Sequence, residues 1–291
     1  MTSHKNSTSR SLHRNSKSRH GKGRKTGFSL IEIAVVLVIL SILLAVVAVP
    51  LATQVTQRKV SETKLALDNA QRALIGFAAS NGRLPCPATD GTGGTTNSLG
   101  DEAFAVGSSA ADGICARFVG FLPAVALGLS PLDAESFMVD GWGIQQNRLR
   151  YAVWGSSTTP INSVLYPFTK TDGMKIALTS NLADSTKKFL FVCQAAPTGT
   201  LPTSSSAASS NACGTAIKLT DKSPAVIFSL GANAATGGTG ADELHNVNQD
   251  FVFVSHNPTL SGSAAGEFDD IVTWISLSAL FDRMLQAGKL P

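Results

Sequence analysis

The residues best suited to chemistry are acidic side chains near the C-terminal end of the chain. Asp242 and Glu243 are adjacent, and Glu267, Asp269 and Asp270 follow within one short segment. Ca²⁺ prefers six to eight oxygen ligands, mostly from carboxylates and loop carbonyls. The spacing of these five residues matches no calcium-loop motif, and a solvated acidic turn is the alternative. We therefore expect no obligatory cofactor, with calcium as the one ligand that these residues could bind.

No residue pattern in the sequence predicts an enzyme. Serines are abundant, but the chain has no G-x-S-x-G turn and no phosphate-binding loop. Beyond the first 27 residues the histidines are His245 and His256, and neither belongs to a pair with metal-ligand spacing. We expect each histidine to be solvated or to cap a local element, and we expect the protein not to be an enzyme.

The basic residues are concentrated at the start of the chain. Residues 1–27 contain eight Lys or Arg and no acidic residue, whereas the remaining chain contains 16 basic and 20 acidic residues. The first 25 residues hold almost no apolar side chain and cannot bury a core. Without this leader the net charge is −4, which argues against a general affinity for nucleic acid.

An apolar run follows the basic leader directly. From Phe28 to Val49 the only polar residues are Ser29, Glu32 and Ser41. A helix of this length would measure about 33 Å, which matches a bilayer core of about 30 Å. The leader would then stay in the cytoplasm, and the rest of the chain would be exported. A secretory signal and a plain signal anchor are the alternatives, but a signal core is shorter and neither explains Glu32.

The acidic residue inside this run needs an explanation of its own. A carboxylate in an apolar span costs about 2.5–3.5 kcal/mol on insertion scales, and less near a helix end. One explanation is structural, because Ser29 and Glu32 fit a capping box and an acid in the first turn suits the helix dipole. The other is functional, with Glu32 as the counter-charge of a neighbouring chain.

The segment GFSLIE at residues 27–32, between the basic leader and the apolar run, resembles the type III signal of type IV prepilins and type II secretion pseudopilins. The leader is long for that family. The resemblance implies that a prepilin peptidase cuts between Gly27 and Phe28 and methylates the new amine of Phe28. It also implies that Glu32 acts in assembly. A close ion pair between Glu32 and the Phe28 amine of a neighbouring subunit would set the axial register of a filament.

The resemblance also implies a location and a set of partners. A protein of this kind crosses the bacterial inner membrane once, with its N-terminus in the cytoplasm and its head in the periplasm, and then enters a pilus or pseudopilus. The expected partners are the prepilin peptidase, other pilin or pseudopilin subunits, the inner-membrane assembly platform and the inner-membrane lipid. No nucleic acid is expected.

Four cysteines lie beyond the apolar run, and no two of them form a CxxC motif. An even number of cysteines in an exported chain favours two disulfides. Pairing between neighbours in sequence would give Cys86–Cys115 and Cys193–Cys213, and each loop would contribute about 3–4 kcal/mol in the chain-entropy model. Four reduced, buried thiols and other pairings are the alternatives.

These features together predict an α+β protein with a long, bent N-terminal helix. Residues 1–27 are the leader that is removed, 28–49 the transmembrane and assembly half of the helix, and 50–80 its periplasmic half. Pro50 is expected to kink the helix. The amphipathic half beyond it is expected to pack on a pilin-like head, an antiparallel β-sheet with long loops, over residues 81–291.

Several boundaries within this head are predicted by residue type. The stem helix is expected to end at Asn81 and Gly82, and a last helix is expected over 278–287, ending at Gly288. The segment DGWG at residues 140–143 resembles a turn that leads into the sheet of major pseudopilins. Apolar runs between loops rich in Gly, Ser and Thr predict strands. The strand candidates are residues 148–154, 174–179, 188–193, 224–230, 250–255 and 270–276.

The leading functional hypothesis is a structural subunit, either a minor pilin or a pseudopilin, of a type IV pilus or a type II secretion filament. Its processed N-terminal helix would polymerise. The alternative is a tip adhesin or substrate-recognition module that is displayed on a pilin stem. A head of more than 200 residues would crowd a helical lattice, which favours a minor or tip position.

Overall fold

The computed structural model describes most of the chain beyond the leader. The residues described are 27–91, 99–154, 168–175, 189–197, 212–236, 238, 240–263 and 266–291, and side chains are described for these except at 45–52. They have the predicted α+β architecture. The chain divides into two compact units, Met1–Ala52 and Thr53–Pro291.

The N-terminal helix, α1 (Leu30–Asn81), has 52 residues. Its first turn is closed at Ser29, whose carbonyl oxygen accepts the backbone N–H of Glu32 at 3.0 Å. The backbone is helical through residue 50, but the side chains around it lie outside the described set, and the kink at Pro50 stays a prediction. The span predicted over 28–49 gains no support: no helix in the described part of the chain is both long and apolar enough to cross a bilayer.

The end of α1 is where the sequence predicts it. Asn81 is the last helical residue, and Gly82 follows with a φ of +71°. A residue without Cβ adopts this left-handed conformation at little cost. The N–H of Gly82 donates to the carbonyl of Ala78 at 2.8 Å, which satisfies one of the last carbonyl groups of the helix.

Within the unit Thr53–Pro291, α1 contributes an apolar stripe to the core. Leu67, Ala70, Leu74 and Ala78 are almost completely buried, and their spacing of three and four residues places them on one helix face. Leu74 belongs to the same cluster of buried residues as Tyr151 and Phe228. The amphipathic pattern of this half of the helix is therefore explained by packing on the head.

Two sheets also contribute to the core. Their strands are β1 (Val119–Phe121), β2 (Arg150–Val153), β3 (Leu190–Cys193), β4 (Lys218–Ser223), β5 (Ala225–Ser229), β6 (Val252–Val254) and β7 (Ile271–Trp274). A four-stranded sheet has the order β1-β2-β5-β7 with all neighbours antiparallel, and a three-stranded sheet has the order β4-β3-β6. β3 and β6 pair in parallel, which the expected antiparallel head does not include.

The described head also contains a 3-10 turn (Gln145–Asn147), α2 (Ala241–Val247) and α3 (Leu277–Gln286), besides helical residues at 173–175. The last helix confirms the prediction near the C-terminal end, and Gly288 follows it with a φ of +68°. Its Leu280 and Met284 are fully buried, so one face of α3 seals the core.

Five of the six strand candidates contain a strand, namely β2, β3, β5, β6 and β7. The candidate at 174–179 is not supported, since residues 174 and 175 are helical and 176–179 lie outside the described residues. β1 and β4 were not predicted. β1 has only three residues within a loop-rich stretch, and β4 has charged residues at Lys218, Asp221 and Lys222 in place of an apolar pattern.

Candidate functional site

Three of the five candidate calcium ligands come together in the head. Glu243 lies on α2, and Asp269 and Asp270 immediately precede β7. One carboxylate oxygen from each residue lies within 4.8 Å of the others. Glu243 and Asp270 are buried, and Asp269 is half-buried. We call these three residues the acidic cluster.

Local donors hold the acidic cluster in place. Asp269 Oδ2 accepts the backbone N–H groups of Ala232 at 2.8 Å and Asn233 at 3.1 Å. Glu243 Oε1 accepts Nδ2 of Asn233 at 2.9 Å and the N–H of Asp269 at 3.0 Å. Gly231 makes room for this arrangement, since a Cβ there would overlap the Asp269 carboxylate. Asp269 Oδ1 is buried without a hydrogen-bond partner among the described residues.

The electrostatics of the cluster disfavour three free carboxylates. Burial raises the pKa of Asp270 to about 8, and the nearby Glu243 and Asp269 add to this, although the hydrogen bond from Asn246 lowers it. Burial likewise raises the pKa of Asp269 to about 6, with Glu243 contributing. Two chemical states relieve the repulsion: a retained proton, or a cation bound between the oxygens.

Two candidate ligands lie outside the cluster. Glu267 does not join it, and Asp242 makes different contacts. Asp242 Oδ2 lies 3.0 Å from Nε2 of His256, whose ring stacks on Phe268 with centroids 3.9 Å apart. His256 is therefore a packed residue of the head, in contrast to the predicted solvated or capping role. His245, on α2, lies 3.7 Å from an Asp250 oxygen.

The segment DGWG at 140–143 forms a turn before β2, as the resemblance implies. Asp140 is buried and accepts Nδ2 of Asn147 at 2.9 Å and the N–H of Trp142 at 2.8 Å. The N–H of Gly141 donates to Oγ1 of Thr63 on α1 at 3.0 Å. Burial raises the pKa of Asp140, and its hydrogen bonds offset part of that rise. These contacts fasten the turn to the helix, which is a structural role.

Both cysteine pairs form disulfides in the structure. Cys86 and Cys115 have Cα atoms 5.3 Å apart, and Cys193 and Cys213 have Cα atoms 5.6 Å apart. These are the pairings between sequence neighbours that the cysteine spacing favours, and all four residues are buried.

The candidate processing segment lies at the start of α1. Gly27 and Phe28 precede the helix and are exposed, and every residue from 27 to 44 is exposed. Glu32 is in the first helical turn. The polar Ser41 is satisfied within the helix, where its Oγ donates to the carbonyl of Val38 at 2.8 Å. The Gly27–Phe28 junction therefore precedes the helix, which begins two residues later than the predicted start at Phe28.

Residues 22–48 match the family described as the prokaryotic N-terminal methylation motif. The matched range includes the Gly27–Phe28 junction, Glu32 and most of the apolar run. The chain carries a prepilin-type signal. No curated protein and no solved structure matches the chain significantly.

The prepilin-type signal supports a type IV pilin-like or pseudopilin-like protein. It implies processing by prepilin peptidase and assembly with other pilin-type subunits. The match covers 27 of the 291 residues. The match ends before the unit Thr53–Pro291 begins.

Sequence reasoning missed the amide side chains that frame the acidic cluster. Asn246 Nδ2 donates to Asp270 Oδ2 at 2.7 Å, and Asn233 donates to Glu243. Asn246 follows Glu243 by three residues, and this spacing places both on the same face of a helix. The contact of Asn246 could therefore have been inferred from the sequence. The approach of Asn233 depends on the tertiary fold and could not have been inferred.

Proposed function

We propose that this protein is a structural subunit, a minor pilin or pseudopilin, of a type IV pilus or type II secretion filament. The prepilin-type signal is the observation that carries the proposal. The exposed apolar residues of α1 from 30 to 44 support it, because a helix with this surface buries it by packing against lipid or other helices. A subunit of this kind needs no catalytic group of its own.

The assembly mechanism depends on a charge that proteolysis creates. Cleavage between Gly27 and Phe28 leaves an α-amine that is mostly cationic near neutral pH, and N-methylation retains the charge. Glu32 of one subunit then pairs with the Phe28 amine of its neighbour. The attraction is strong among packed apolar helices, although desolvation offsets part of it. Only one stagger of the helices neutralises both charges, so the pair fixes the register.

The same residues serve the precursor as an anchor. The apolar run lies in the bacterial inner membrane, with the basic leader in the cytoplasm and the head in the periplasm. Two buried disulfides in the head support an oxidising compartment. The assembly platform and the peptidase then meet the chain at this membrane.

Mass spectrometry of the N-terminus, on protein from the membrane fraction, tests the proposal. The mature chain is expected to begin with N-methylated Phe28. Gly27→Val should retain the leader, whereas Gly23→Ala, a leader glycine four residues upstream, should be processed normally. A native chain that keeps its basic leader, or that begins beyond Val49, would refute the proposal.

A tip adhesin or substrate-recognition module is the second candidate. The size of the unit Thr53–Pro291 favours it, because large heads crowd a helical lattice. Immunogold labelling of filaments separates the two candidates. A structural subunit labels along the filament, and a tip module labels only the ends.

Calcium is a proposed ligand of the acidic cluster. The donor set fits the ion, since Asp269 Oδ1 is buried without a partner among the described residues and two more carboxylates lie beside it. Calcium would offset their repulsion and so stabilise the head. We expect calcium to raise the Tm of the native protein and of the control Asp282→Asn, but not of Asp269→Asn. A native Tm that is equal in calcium and in chelator would exclude the site.

A further inference from the structure

The four-stranded sheet places an arginine between two phenylalanines. Arg150 of β2 is opposite Phe121 of β1 and Phe228 of β5, and directly opposite residues of antiparallel strands lie on the same face. The guanidinium carbon of Arg150 is 4.2 Å from the centroid of the Phe121 ring. The charged group is therefore stacked on an aromatic ring within an apolar row.

These three residues line a cavity of about 330 Å³. Other walls come from residues 88–90, from Arg117 and from the end of α2, including Val247. The volume falls within the range of small-molecule sites, which combine apolar walls with a few polar groups. A group the size of one amino-acid residue fits such a space.

The charges that line the cavity are mostly positive. Arg117 and Arg150 contribute two guanidinium groups, and Asp90 contributes one carboxylate. Nε of Arg150 is buried and has no hydrogen-bond partner among the described residues. Burial lowers the pKa of Arg150, as does the nearby Arg148, while Asp90 raises it. A buried N–H without an acceptor is costly, so the fold holds this guanidinium in the cavity wall without satisfying all of its donors.

A neighbouring arginine in this fold has carboxylate partners for its guanidinium. Arg148, two residues earlier, donates from Nε to Asp133 at 2.7 Å and from a terminal nitrogen to Glu135 at 2.9 Å. It also stacks on Phe137, 4.3 Å from the ring centroid. Both arginines therefore lie against aromatic rings, but the fold supplies carboxylates to Arg148 and no acceptor to Nε of Arg150 in the part of the chain that is described.

We propose that this cavity binds an organic carboxylate with an apolar group next to its charge. The planar fork of Arg150 matches a carboxylate, and Phe121 and Phe228 accommodate the apolar group. The C-terminal residue of a polypeptide and a free acid of the same size both have this chemistry. The site is separate from the prepilin-type signal, so the proposal is independent of how the stem is processed.

Calorimetric titration of the full-length protein in a nonionic detergent tests the proposal, with N-acetyl-phenylalanine as the probe. We expect saturable binding at one site per chain. N-acetyl-phenylalaninamide, which lacks the charge, should bind about tenfold more weakly. Inorganic phosphate, which lacks the apolar group, should not displace the probe at equal concentration. Equal binding of acid and amide would overturn the proposal, as would displacement by phosphate.

Two variants locate the binding. Arg150→Met keeps the apolar stem and should weaken binding about tenfold or more. Val247→Trp fills the cavity but keeps the guanidinium, and it should abolish binding. If Arg150→Met fails to fold, this second variant tests whether the probe binds in the cavity. Arg283→Met, on the exposed side of α3, is the matched control and should bind normally. Unchanged binding in Val247→Trp would overturn the assignment.

A second pair of probes distinguishes the two sources of the ligand. A hexapeptide ending in phenylalanine is compared with N-acetyl-phenylalanine. Tighter binding of the peptide supports a polypeptide end as the ligand, and equal binding supports a small free acid. The amidated peptide should bind weakly in either case, and strong binding of the amide would contradict the carboxylate assignment.

Discussion

The two halves of α1 contain the same kinds of apolar residue, but these residues are exposed in one half and buried in the other. In the unit Met1–Ala52, Leu37 is 60% exposed, and in the unit Thr53–Pro291, Leu74 is fully buried. Both residues are leucines of the same helix. The second unit supplies its own packing partners, whereas the apolar residues described in the first unit are exposed. Identical residue types therefore indicate folding in one region and association in the other.

The carboxylates of the two regions differ in a similar way. Glu32 is exposed on an apolar helix, where its proposed partner belongs to another subunit. Asp270 is buried among other acids and is bonded to Asn246. Changes at Glu32 should affect assembly and leave the head intact, and changes at Asp270 should do the reverse.

The largest effect is expected from Glu32→Ala. The variant should be processed and anchored normally but should be almost absent from filaments, since the Phe28 amine loses its counter-charge. Filament preparations are compared with membrane fractions by immunoblot, and the Tm of the head should not change. Glu62→Ala is the control, because Glu62 is an exposed acid farther along the same helix. Normal incorporation of Glu32→Ala into filaments would contradict the assembly role proposed for Glu32.

The next effect comes from matched leucine truncations. Leu74→Ala should lower the free energy of unfolding of the head by about 2–5 kcal/mol, because a buried leucine loses its contacts and leaves a cavity. Leu37→Ala should leave it unchanged. Denaturant unfolding in detergent measures both variants. An equal loss of unfolding free energy in the two variants would contradict the conclusion that only the second region packs into the head.

A smaller effect is expected from pH. The pKa of Asp270 is about 8 in the folded head and about 3.9 in an unfolded chain. The stability from its protonated form is complete below pH 4 and is lost as pH rises towards 8. In chelator, the free energy of unfolding should fall by on the order of 3–4 kcal/mol between pH 5 and pH 8.

Asp270→Asn cannot ionise and should flatten this pH dependence. Asp282→Asn, an exposed site on α3, should keep it. Denaturant unfolding at each pH provides the measurement. A slope that survives in Asp270→Asn would assign the pH dependence to a different group.

The smallest effect belongs to an exposed ion pair on α1. Arg58 donates to Glu62 at 2.7 Å, and both side chains are largely solvated. Arg58→Ala should therefore cost about 0.3–0.5 kcal/mol. The same unfolding measurement applies, and high salt should abolish the difference from the native protein. A loss above 1 kcal/mol would show that this part of the helix depends on charge as well as on apolar packing.

Features set by neighbouring residues were predictable from the sequence. The methylation motif, the end of α1 at Asn81 and Gly82, and the apolar runs that became β3 and β5 each depend on a few contiguous residues. The close approach of Glu243 to Asp269 depends on how α2 meets the start of β7, and no local pattern encodes it. Pairing between strands is also non-local, which is why the parallel contact of β3 with β6 was missed.

Arg150 illustrates the same limit in a single residue. The strand candidate at residues 148–154 correctly places it in a strand. Its position between Phe121 and Phe228 is defined only once β1 and β5 pair on either side of β2. The same packing leaves its Nε without a hydrogen-bond partner among the described residues. β1 itself was not predicted, so the sequence could not show that this arginine lines a cavity.

The partner of β5 along one edge comes from the far end of the sequence. β5 pairs with β7, and Nε2 of Gln71 on α1 donates to the carbonyl of Trp274 at 3.0 Å. The stem helix and the central strands therefore lack their final neighbour until residues 271–274 have arrived. During synthesis this leaves a strand edge open after most of the head has been made, a state prone to mispairing. Pairing of β7 with β5 is thus the step that closes this edge and ends its exposure to aggregation.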